Sequence, residues 1–128
     1  MILDAGFLIS VDRGERAAQE FLTAAHRTNT ALHVTDPVVA QVWRNGSRQA
    51  RLARFLASVD VHPFDDGPPV GELLARSRTS DVVDAHLVLV AARLGDSILT
   101  GDVEDLSVLV NALNGRGPTV HVWPPPNR

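Results

Sequence analysis

The chain has 128 residues, a net charge of −3, 45% hydrophobic and 21% charged residues, and no cysteine. That length suits one domain with a single sizeable core, while the missing thiols exclude a disulfide frame and a thiolate metal site. All 12 basic residues are arginine, which excludes a P-loop, a Schiff-base enzyme and a phosphoaspartate receiver, because each needs a lysine; the negative net charge makes any nucleic-acid contact a local one.

The elements alternate between strand and helix. Residues 1–3 read as a short apolar strand ending in Asp4, and Ala5-Gly6-Phe7-Leu8-Ile9 is expected to turn away from it, with Gly6 allowing close backbone approach. Residues 15–26 predict a helix with Ala18, Phe21, Leu22 and Ala25 on one stripe. A second strand is expected over residues 31–34. Asp36-Pro37 then has the form of a helix start, a cap followed by proline, and that helix runs to Gly46. Residues 49–58 predict a further helix burying Leu52, Phe55, Leu56 and Val59, and residues 59–64 a third strand. Asp65-Asp66-Gly67-Pro68-Pro69 reads as a loop before a shorter helix over residues 70–76. Residues 82–92 are apolar nearly all round, which marks a helix packed on several sides. Gly95 makes the connection to a strand over residues 97–100, and a helix follows over residues 102–113. A last strand is expected over residues 119–122. The pattern is α/β with a mainly parallel sheet: one domain over residues 1–123 and a short proline-rich tail over 124–128. No apolar run approaches a membrane span and no signal peptide precedes Met1, so a cytoplasmic location is expected.

Asp84 carries the chemistry. It sits in the first turn of the apolar helix, where a half-withdrawn carboxylate costs several kcal/mol or becomes protonated unless a positive partner is present. Asp81 leans over the same helical face. Asp102 sits where a parallel strand hands over to a helix, the place where open α/β sheets bind ligands. Asp4 interrupts apolar sequence at the end of the first strand. Against the functional assignment, Asp102 with Asp105 could cap the last helix, and Asp81 could serve the helix dipole; Asp4 and Asp84 are read as lacking a cap role. Carboxylates gathered without a basic partner ask for a hard cation, Mg2+ or Mn2+, which can activate a water and neutralise a phosphodiester oxygen. His86 points away from Asp84 and is read as a packed or surface histidine. Arg44, Arg48, Arg51 and Arg54 could contact RNA phosphates or an acidic protein partner; a solvated face is the competing explanation.

The segments Ile2-Leu3-Asp4, Val83-Asp84-Ala85-His86 and Leu99-Thr100-Gly101-Asp102, in this order and on an alternating α/β pattern, resemble the PIN-domain nucleases, including VapC-type toxins of bacterial toxin–antitoxin pairs. The resemblance implies a three-layer α/β/α sandwich around about five mainly parallel strands. It also implies metal-binding and catalytic roles for Asp4, Asp84 and Asp102, and Mg2+- or Mn2+-dependent cleavage of single-stranded RNA. A small antitoxin partner and a homodimer are implied as well. One position departs from the family pattern: Gln41 stands where a glutamate is usual, and a glutamine brings no charge and cannot act as a base. Asp81 or Asp105 could substitute as ligands. The departure keeps open a PIN-fold module that binds RNA or protein without turnover, and a different Mg2+-dependent α/β phosphatase or nuclease also stays open.

Overall fold

The computed structural model describes residues 1–126. Five strands, β1 (Ile2–Leu3), β2 (His33–Thr35), β3 (Asp60–His62), β4 (Ile98–Thr100) and β5 (Val120–Val122), form one sheet in the order β3-β2-β1-β4-β5. Every pairing is parallel. Parallel strands need covered faces and crossover connections, and the helices supply both. They are α1 (Ala5–Asp12), α2 (Arg16–Arg27), α3 (Asp36–Val42), α4 (Ala50–Leu56), α5 (Gly67–Ser77), α6 (Val82–Leu94) and α7 (Val103–Asn111). Helix α1 packs on α2, α3 and α4, while α5, α6 and α7 pack on one another. With right-handed crossovers, the first group covers one face of the sheet and the second covers the other. The result is the expected α/β/α sandwich.

Two elements depart from the sequence expectation. Residues 5–9 do not simply turn away from β1; they begin α1, which buries Phe7, Leu8, Ser10 and Val11. This helix sits centrally among α2, α3, α4 and β4, so it is apolar on most sides and shows none of the periodicity that marks a surface helix. Helix α5 starts at Gly67, inside the expected loop. Its Pro68 and Pro69 fall in the first turn, where a missing backbone N–H forfeits no helical hydrogen bond.

The core continues beyond the last strand. Trp123 is 4% exposed and meets Phe7 edge-on at 4.9 Å between ring centroids, with Phe21 at 5.7 Å. Its indole Nε1–H donates to Ser10 Oγ at 3.1 Å. Pro124, Pro125 and Pro126 are exposed, and the expected proline-rich tail ends in Asn127 and Arg128, which lie outside the described residues. Among the described residues no helix is long and apolar enough to cross a membrane.

Because Trp123 joins the end of the chain to α1, Trp123→Ala is expected to lower unfolding free energy by about 3–5 kcal/mol, the range for deleting a buried large aromatic. Urea denaturation measures it; a loss below about 1 kcal/mol would remove Trp123 from the core.

Candidate metal-dependent active site

Strands β1 and β4 are neighbours, yet their chains leave in opposite directions: β1 leads towards β2 and β4 towards β5. Their carboxyl ends therefore form the topological switch point of the sheet, where a crevice opens. Asp4 is the residue after β1, and Gly101-Asp102 follows β4.

Asp4 is 5% exposed, and each of its oxygens accepts one hydrogen bond. Its Oδ1 accepts from the Ala5 N–H at 2.7 Å and its Oδ2 accepts from the Thr100 hydroxyl at 2.6 Å. The Thr100 Oγ1 in turn accepts from the Asp102 N–H at 3.0 Å. One hydroxyl, donating once and accepting once, thus ties the two strand ends together. Burial pushes the Asp4 carboxyl above its ordinary range; the Thr100 and Ala5 bonds oppose this, and Asp102 and Asp81 add repulsion. Contrary to the sequence expectation, Asp4 does have a cap role, at the N-terminus of α1. That role was hidden because α1 itself was not anticipated.

Asp84 stands half-buried in the first turn of α6, and its pKa is pushed up to about 7. Burial is the main cause, followed by the negative charges of Asp81, Asp4, Asp102 and Asp105. Asp81 is the cap of α6, its Oδ1 accepting from the Asp84 N–H at 3.0 Å. Asp102 occupies the corresponding place before α7 but makes no side-chain cap bond, which leaves its carboxylate uncommitted. A cleft of about 280 Å³, lined by Thr79, Ser80, Asp81, Asp84, Asp105 and Val108 among others, opens beside these groups. Asp4 and Asp102 lie outside its lining but close enough for their charges to act on Asp84. Among the described residues, none of the five carboxylates forms a salt bridge.

Two further residues help to shape the site. Gly101 lies where a Cβ would come within 3.2 Å of the Trp123 carbonyl oxygen, so the Thr100-Gly101-Asp102 turn runs tight against the last strand's exit. Thr35 ends β2; since Ile2 pairs with His33, two residues further on Thr35 stands level with Asp4. Its hydroxyl is buried without a hydrogen-bond partner among the described residues. Neither threonine was anticipated at the site, although a hydroxyl at the end of an otherwise apolar strand is a signal open to the sequence.

As they stand, no three His, Cys, Asp or Glu side chains among the described residues surround one point closely enough to hold an ion alone. The donor chemistry nonetheless fits a hard divalent cation that keeps several waters: carboxylates without counter-charge, and an orphaned hydroxyl.

The remaining candidates do not line the cleft. Gln41 is exposed on α3 and does not line the cleft. The four arginines do not share one helical stripe. Arg44 follows α3 and folds back to donate to the Ala40 and Trp43 carbonyls at 3.0 and 2.7 Å. Arg48 closes a 3-10 turn, and Arg51 and Arg54 lie on α4, with the Arg51 guanidinium against Gly14. His86 is packed, not on the surface: it is fully buried against Phe64, and burial lowers its pKa.

The raised Asp84 pKa fixes a pH dependence. The folded chain keeps this proton up to about pH 7, whereas the unfolded chain releases it near pH ~4. Between these values the folded state binds more protons, so stability in EDTA should fall as pH rises from about 4 to about 7. Asp84→Asn should flatten that slope and, above pH ~7 in EDTA, be more stable than wild type by about 0.5–2 kcal/mol, partial exposure keeping the gain small. Thermal melts across this range provide the check. A variant that is less stable with the slope unchanged would make Asp84 a structural residue.

No protein-family model matches the chain, and no curated protein matches it. Among solved structures it is similar to a chain of the crystal structure of VapBC2 from Rickettsia felis bound to a DNA fragment from their promoter. The TM-score is 0.68 at 14% identity, over 95% of this chain and 97% of that one. At that identity the likeness is one of fold, and the fold is the PIN-like α/β/α sandwich with its all-parallel five-stranded sheet.

Proposed function

We propose that the chain is a cytoplasmic Mg2+- or Mn2+-dependent endoribonuclease acting on single-stranded RNA, and the toxin of a toxin–antitoxin pair. The observation that carries the proposal is the cluster of Asp4, Asp81, Asp84, Asp102 and Asp105 at the switch point of the sheet, without a basic partner among the described residues and with one pKa pushed up to about 7. A fold maintained by packing alone has no use for such repulsion. The toxin assignment rests on the resemblance in sequence and on the likeness in fold to a chain of the VapBC2 structure.

In this reading Asp4, Asp84 and Asp102 hold the cation, and Asp81 or Asp105 assists through the cleft. A bound Mg2+ or Mn2+ supplies an activated water and neutralises charge developing on the phosphodiester. The Ala5 N–H and the Thr100 hydroxyl hold the Asp4 carboxylate in one orientation in the structure. Asp84 carries a proton part of the time near neutral pH and must release it to bind a cation, so affinity rises with pH through about 7. Arg44, Arg48, Arg51 and Arg54 provide exposed positive charge for RNA phosphates or for an acidic antitoxin segment. The family resemblance extends the proposal to a homodimer.

A second reading is favoured by Gln41: with an amide at the family's glutamate position, the chain would bind RNA or protein without turnover. One assay separates the two. Labelled single-stranded RNA with Mn2+ should be cleaved by wild type and not by Asp4→Asn, and Gln41→Glu should raise both Mn2+ affinity and the rate. Binding without cleavage in wild type would favour the second reading. Unchanged metal affinity in Gln41→Glu would place that residue outside the site.

A further inference from the structure

A second group of metal-ligating side chains lies on β2 and β3, apart from the carboxylates. His33 opens β2 and pairs with Asp60, while His62 ends β3 and pairs with Thr35. Side chains two residues apart on a strand share a face, so His33 and His62 are diagonal neighbours on one side of the sheet. His33 Nδ1 and His62 Nε2 are 3.0 Å apart, with ring centroids at 5.1 Å and rings inclined by 46°. Asp60 Oδ2 is 3.6 Å from the same Nδ1. On the far side of the His33 ring, Asp96 Oδ2 is 4.0 Å from Nε2.

These positions have the form of a transition-metal site. Two imidazole nitrogens bound to one ion at about 2.1 Å lie roughly 3.0 Å apart at a right angle and about 3.4 Å apart at a tetrahedral one, so the 3.0 Å found here matches the first and needs a small opening for the second. The second ring nitrogen of a metal-bound histidine is commonly faced by a carboxylate; Asp96 lies on that side of His33, beyond hydrogen-bond distance, with the same Oδ2 accepting from the Met1 ammonium. Neutral imidazole is the ligating form, and the burial of His33 lowers its pKa and favours that form. In the metal-free chain the two rings share one proton in a hydrogen bond; a small rotation about a broad terminal torsion turns both lone pairs to a common point.

We propose that His33 Nδ1 and His62 Nε2 form a two-nitrogen site for a borderline transition-metal ion such as Zn2+, Ni2+ or Cu2+, with water completing the shell. The ion takes the place of the proton between the two rings, which passes through solvent to the non-ligating nitrogen of the ring that carried it, and it cross-links β2 to the edge strand β3. Imidazole ligands select against Mg2+, so this site and the carboxylate cluster sort different cations. The proposal does not depend on the nuclease reading.

The test uses the full chain without a histidine tag. Added as one equivalent, Cu2+ should give an electron paramagnetic resonance signal with nitrogen hyperfine coupling, and Zn2+ should shift the ring nitrogens of two histidines in long-range 1H–15N spectra of the wild type. His62→Ala should reduce the coupling from two nitrogens to at most one and weaken Cu2+ binding at least about tenfold, while His121→Ala and Asp84→Asn should leave both unchanged. The Zn2+ measurement needs no variant and stands even if His62→Ala fails to fold. Two-nitrogen coupling that survives in folded His62→Ala, Cu2+ bound through oxygen alone, or Zn2+ that leaves both ring systems unmoved would each overturn the assignment.

Discussion

The Thr100 hydroxyl is the contact on which the site depends. It donates to Asp4 and accepts from the Asp102 N–H, across the two strands whose chains part company at the middle of the sheet. A parallel sheet wound in both directions leaves a crevice at such a point, and this bridge fixes what the crevice presents. Asp4 is held with both oxygens occupied, Asp102 keeps its carboxylate free, and α6 brings Asp84 up with Asp81 beside it. The remainder of the fold serves this arrangement. Helix α1 starts on Asp4, and its aromatic contacts with Trp123 anchor the exit of β5, where Gly101 passes closely.

Electrostatics distinguish this cluster from ordinary helix capping. Asp4 and Asp81 do cap helices, yet capping alone leaves no reason for Asp84 to be half-buried among four other acids. Like charges at reduced dielectric destabilise the metal-free chain, and a protein retains such a cluster when something bound offsets it. Proton uptake at Asp84 relieves part of the repulsion near neutral pH; a divalent cation would relieve more.

Much of this was legible in the chain. The α6–β4 region was anticipated because its signals agree: an apolar helix, a glycine stop at Gly95 in the left-handed conformation, a buried strand, then Asp102. Helix α1 was not, because a central helix buried on most sides loses its amphipathic period and the strand before it is only two residues long. The start of α5 was masked by Pro68 and Pro69, which resemble loop residues until their place in the first turn is known. Within the site, Asp4, Asp84 and Asp102 could be picked out as carboxylates in apolar surroundings, whereas Thr35 and Thr100 depend on strand register, which no local pattern contains. The arginines recur at helical spacing in sequence, but a 3-10 turn that ends in Arg48 lies between Arg44, which follows α3, and Arg51 and Arg54 on α4.

Asp84 is held at elevated pKa by burial first and by the neighbouring carboxylates second, a state that a bound cation would reverse. The most direct measurement is the titration of its side-chain carboxyl by 13C NMR, first in EDTA and then with Mg2+ added. A midpoint near pH 7 is expected without metal, falling into or below the ordinary range near ~4 when Mg2+ is present. A midpoint near 4 in both conditions would contradict it.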